Sequence, residues 1–152
     1  MVPEPQTPDS TRRPEQRLAA GRAGWLGLVC RLLMALLFLV SATTKVTETP
    51  AIQAYMHAFG VPESLVWPAA AWEYAAGTLL LAGYQLRAVS GLLAGWCLLT
   101  AAIFHTKFAD LDQLMNFFKN TTMAGAFLAI AGTGFCRLSV DALLAGWRRS
   151  GH

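Results

Sequence analysis

The chain has 152 residues, of which 55 % are hydrophobic and only 14 % charged, with a net charge of +3. Soluble domains carry about 25 % charged residues, so the composition points to lipid as the solvent of a single domain. No basic stripe with interleaved aromatics argues for nucleic acid, and three scattered cysteines (Cys30, Cys97 and Cys136) argue against a disulfide framework, a thiol relay or a zinc site.

Residues 1–24 hold prolines and arginines and little that can pack, which predicts a disordered basic tail. The first long apolar run, 25–44, is predicted as a membrane-spanning helix with Trp25 at the interface and Lys45 snorkelling at its far end. It exceeds the 7–15-residue apolar stretch of an ordinary signal peptide, so it reads as a retained anchor. The cysteines in such runs read as small buried apolar residues. Between 45 and 64, Ile52, Tyr55, Met56 and Phe59 share one helical face, with Thr49 as N-cap, Pro50 in the first turn and Gly60 as C-cap. That predicts a short amphipathic helix on the membrane surface.

The second span, 65–84, carries Glu73 near its middle. Ala69, Ala70, Ala76 and Gly77 lie one turn away on either side, so the acid's face is one that a neighbouring helix can approach closely. Gln85, Leu86 and Arg87 are expected to form a tight turn into the third span, 88–104, which ends at His105. An interfacial helix over 106–120 leads to the fourth span, 121–135. Ser139 can cap a short amphipathic C-terminal helix with Leu143, Leu144 and Trp147, followed by a basic tail over 148–152. The fold expected is all-α: a polytopic, four-transmembrane-helix bundle over 25–147 with short interfacial amphipathic helices. Basic residues gather in the N-terminal tail, at Arg87 and at the C-terminus, while Lys45, Lys107 and Lys119 fall on the other side. The positive-inside rule then places both termini in the cytoplasm.

Charges inside a span are costly and are expected to face protein, water or a partner. Arg31 lies about 9 Å in from one end of its helix and Glu73 about 12 Å in from the opposite face, which suggests an Arg31–Glu73 pair joining the first two spans. Lys45, His105, Lys119 and Asn120 collect at the outer face above Glu73. Together they would line a cavity with apolar walls and a few polar points, the usual character of a small-ligand site. The competing reading makes the lysines snorkelling ends and the histidine a solvated one. No nucleotide loop, H-E-x-x-H or G-x-S-x-G is present, no histidine pair lies within the spans for haem, and no metal site is expected.

Several pieces in order resemble the DoxX family of small bacterial membrane proteins. They are Arg31 to Met34 with Phe38 and Ser41 to Lys45, then Glu73, Gly83 to Arg87, Phe104-His105 and Phe118 to Asn120. Gly125, Gly132-x-Gly134 and Leu138 to Asp141 complete the pattern. The resemblance implies four spans in the inner membrane and maps recurrent polar positions onto Arg31, Lys45, Glu73, Arg87, His105, Lys119 and Asn120. It also implies an oxidoreductase-like label, since the family takes its name from a subunit associated with quinone-linked sulfur oxidation. The cysteine pairs of related thiol-oxidising families are missing here. Three functions stay open: a redox-associated subunit binding a quinone or similar lipophilic ligand; a non-enzymatic scaffold or accessory subunit, with a partner subunit or a second copy; and a proton-coupled carrier using Glu73.

Overall fold

The computed structural model describes residues 14–134 and 138–150, the side chains of 14–20, 23 and 148–150 excepted. Among these residues six α-helices follow one another: α1 (Pro14–Thr47), α2 (Thr49–Ala58), α3 (Val66–Ala82), α4 (Leu86–Phe104), α5 (Leu111–Thr133) and α6 (Val140–Ser150), with one 3-10 turn at Glu63–Leu65. No strand occurs among the described residues.

α1 starts at Pro14, well before the apolar run. A proline suits the first helical turn, and Glu15, Gln16, Arg17, Leu18, Ala19 and Ala20 are good helix formers, so 14–24 are helical where a disordered tail was expected. Residues 1–13 lie outside the described residues. α2 ends as expected in a Schellman motif: Gly60 takes φ +71°, its N–H bonds to His57 O, and Val61 N–H bonds to Met56 O. Its start differs. Thr49 turns its hydroxyl back onto Lys45 O and Val46 O, and so closes α1 rather than capping α2.

The turn between α3 and α4 is Gly83 to Gln85, not 85–87. Gly83 adopts φ +72°, and Asp141 of α6 accepts from the N–H groups of Gln85 and Leu86 at 2.9 and 3.0 Å, which starts α4 at Leu86. Ser139 does cap α6, accepting from Ala142 N–H at 3.2 Å. The interfacial helix expected over 106–120 does run into the fourth span, and the two form one helix that starts at Leu111. From Asp110, whose side chain caps Asp112 N–H, α5 runs unbroken to Thr133, because no proline interrupts it and its glycines, Gly125 and Gly132, are tolerated singly.

α1 packs on α3 and α4 on α5, and α3 meets α4. One core draws on four helices: Ala35 and Phe38 of α1, Ala76 and Leu80 of α3, Leu93 and Cys97 of α4, Ala124 and Phe127 of α5. The small face around Glu73 is where α1 approaches. A Cβ on Gly77 would sit 3.1 Å from Leu39 Cδ2. The outside carries the large apolar side chains instead, with Trp25, Leu26 and Leu33 at 64, 71 and 64 % exposure. Buried small and polar residues with exposed leucines suit a molecule whose solvent is lipid.

Among the described residues two stretches can cross a bilayer by length and apolar composition, Gly24–Thr47 and Leu86–Phe104. α3, with 17 residues, spans about 26 Å against a ~30 Å hydrocarbon core, and the first half of α5 carries Asp112, Lys119 and Asn120.

Candidate functional site

The centre of the site is Glu73, 4 % exposed on α3. A carboxylate there must be paired and hydrogen-bonded, since the desolvation of an unpaired one costs several kcal/mol. Lys45 of α1 supplies the charge, its Nζ lying 2.9 Å from Glu73 Oε2. Lys45 also donates to Ser41 Oγ, one turn back, at 2.8 Å. The other carboxylate oxygen accepts from Trp96 Nε1 of α4 at 3.1 Å. One acid thus ties α1, α3 and α4 together.

The expected Arg31–Glu73 pair does not form. About 21 Å of α1 separate Arg31 from Lys45, too far for both to reach one carboxylate. Arg31 turns instead to the α6 end of the molecule, where Nη2 donates to Leu138 O at 2.8 Å. Arg87 lies at that end too, its guanidinium against the backbone of Gly134.

Around the Lys45–Glu73 pair opens a cavity of 530 Å³. Its walls come from α1 to α5 and include Phe38, Tyr55, Trp72, Trp96 and Phe104, with polar points at Ser41, Lys45, Glu73, His105, Lys119 and Asn120. The structure therefore brings five of the residues singled out from the sequence to one cavity and leaves Arg31 and Arg87 away from it. His105, just past α4, holds Gln113 Oε1 at 2.8 Å from its Nδ1. Lys119 donates to Asn116 Oδ1 at 2.7 Å, and Asn120 Nδ2 to Asn116 O at 3.1 Å. Trp72 packs edge-on against Trp96, and its indole N–H is buried without a partner among the described residues.

α2 borders the cavity. Tyr55 stacks on Phe104 with ring centroids 5.7 Å apart, Phe59 packs edge-on against the same ring, and Lys107 sits 5.0 Å over the Phe59 ring. Of the cysteines, Cys97 is buried in the cavity wall as expected, and Cys30 is exposed. Cys136 lies outside the described residues.

Sequence reasoning missed Trp72, Trp96, Gln113 and Asn116. The signal for the tryptophans was present: an indole N–H in an apolar helix needs an acceptor. Gln113 and Asn116 fall in the stretch expected to lie on the membrane surface, where polar side chains need no explanation.

Comparison with known proteins places this arrangement among relatives. The DoxX family model matches residues 26–106, which include Arg31, Lys45, Glu73, Arg87 and His105 but not Lys119 or Asn120. Inner membrane protein YqjF of Escherichia coli (strain K12) is 38 % identical over 117 residues, covering 77 % of this chain and 90 % of that protein. Inner membrane protein YphA of the same organism is 31 % identical over 121 residues, covering 75 % and 86 %. No solved structure matches the chain.

Proposed function

The chain belongs to the DoxX family, and from that premise we propose that it is a multi-pass inner-membrane protein that binds a quinone-class or similar lipophilic ligand beside Lys45 and Glu73, as a redox-associated subunit. The names of its two relatives support the membrane. The exposed apolar surface supports four spans built on α1, α3, α4 and α5, with both termini in the cytoplasm as the arginines suggest. The domain would be 25–147, between a basic N-terminal segment and a basic C-terminal tail.

The observation that carries the ligand is the cavity itself. Its 530 Å³ falls within the roughly 300–1,000 Å³ of small-molecule sites, and it combines aromatic walls with a buried indole N–H that lacks an acceptor among the described residues. A quinone has a flat apolar ring and acceptor oxygens. Trp72 and Lys45 would donate to those oxygens, Trp96 and Phe104 would flank the ring, and His105 with Lys119 would favour negative charge on it. When bound, the quinone supplies the redox chemistry; the chain supplies position, exclusion of water and hydrogen bonds.

Ubiquinone-1 binding to the full chain in mild detergent tests this. Trp72→Phe keeps the ring and deletes one N–H, so affinity should fall about fivefold, the value of one hydrogen bond of about 1 kcal/mol. A wild-type protein that retains no quinone, or equal binding by Trp72→Phe, contradicts the proposal.

One observation favours the scaffold reading. Both oxygens of Glu73 are already taken by α1 and α4, so the pair would serve as a pin between helices even with no guest. The same occupancy leaves the carrier reading without a free acid. A stable partner complex purified without any lipophilic ligand would select the scaffold.

A further inference from the structure

Away from that cavity a second buried charge has no counter-ion among the described residues. Arg31 is 4 % exposed. Its Nη2 donates to Leu138 O, while Nε and Nη1, both buried, have no partner among the described residues. Asp141, the acid at this end, spends both carboxylate oxygens on the N–H groups of Gln85 and Leu86. The fold makes room for the guanidinium: a Cβ at Gly83 would lie 2.6 Å from Arg31 Nη1. Arg31 lines a crevice of 190 Å³ between α1, α4 and α5, with Gly27, Cys30, Ala129 and Thr133 among its walls. The Thr133 hydroxyl already donates to Ala129 O. The crevice is thus an apolar slot with one guanidinium in its wall, whose Nε and Nη1 lie just beneath the surface with Nη1 turned toward Gly83.

A buried guanidinium without an anion is costly, and its planar fork matches the oxygens of phosphate. The volume equals roughly six waters at about 30 Å³ each, room for a tetrahedral oxyanion with part of its hydration. We infer that the Arg31 crevice is an anion site that takes a phosphate group, distinct from the Lys45–Glu73 cavity. Two sources share that chemistry, a phospholipid headgroup whose chains lie along α1 and α5, and free inorganic phosphate. The apolar walls and the exposed leucines of α1 favour the lipid.

Cys30 is exposed and lines the crevice, so it reports occupancy. The full chain, carrying Cys136→Ser and held in mild detergent, would be labelled with a maleimide. The probes are phosphatidylglycerol, a diacylglycerol with the same chains, and millimolar inorganic phosphate. Phosphatidylglycerol should slow Cys30 labelling about tenfold, the scale of one charge-assisted hydrogen-bond set, and the diacylglycerol should not. Arg31→Gln should abolish protection, and Arg31→Lys should keep part of it. Should Arg31→Gln fail to fold, Ala129→Phe fills the slot from α5 without touching the guanidinium and should also prevent protection. Protection by inorganic phosphate equal to that by phosphatidylglycerol assigns the site to the free anion. Equal protection by diacylglycerol, no protection by any probe, or full protection in Arg31→Gln overturns the inference.

Discussion

A carboxylate taken out of water must recover its desolvation from partners, and Glu73 does so with a lysine on one helix and an indole on another. Removing one partner strands the rest. Lys45→Ala should therefore lower stability by about 3–5 kcal/mol, read as a fall in melting temperature in detergent, whereas Lys45→Met with Glu73→Leu should cost much less. Trp96→Phe leaves one carboxylate oxygen without a donor and should cost about 1–3 kcal/mol by the same assay. A Lys45→Ala protein melting like wild type would show that the pair carries no weight. The acid's importance was legible in the sequence, because one carboxylate in an apolar run must be answered. Its partner was not. Lys45 closes the apolar run, so it read either as a snorkelling end or as one polar point of the cavity above Glu73, and not as its ion-pair partner. The helix in fact continues to Thr47, and Lys45 turns inward onto α3.

Elements were legible where punctuation is strong. Gly60 ends α2 as a glycine does, and Ser139 caps α6, whereas Gly83, which ends α3, fell inside the expected span 65–84. They were misplaced where the signal is tertiary. The start of α4 is set by Asp141, which lies far along the chain, so no local pattern near residue 86 reveals it. Asp141→Ala should free α6 from the α3–α4 turn: limited proteolysis should cut between α5 and α6 sooner than in wild type, while the α1–α5 body resists. Equal cleavage rates would mean that the cap does not hold α6. Gly83→Ala combines positive φ with a Cβ 2.6 Å from Arg31 Nη1 and from Ser139 Cβ, so it should cost more than the ~1 kcal/mol of φ strain alone. By its own composition α5 was expected as an interfacial helix running into a span. Its polar first half reads as surface and its apolar second half as span, and only the packing on α4 shows one helix.

For the whole molecule, composition was enough to name lipid as the solvent, and the order of the polar residues was enough to suggest the family that the match over 26–106 establishes. Which polar residues meet was not legible, because two charges on different helices can be ranked by depth but not by rotation about the helix axes. Arg31 and Lys45 show this: both belong to α1, yet only one faces Glu73. The proposed topology makes its own forecast. A periplasm-dependent reporter fused after Lys107 should be active and one fused after His152 inactive. The reverse pattern, or activity at both points, would contradict a cytoplasmic C-terminus.

The most direct measurement is a charge swap across the pair, read as thermal melting of the purified chain. Lys45→Glu and Glu73→Lys should each lower the melting temperature, and the two together should recover most of the loss. A double variant no more stable than the worse single one would contradict an ion pair between α1 and α3 at the heart of this protein.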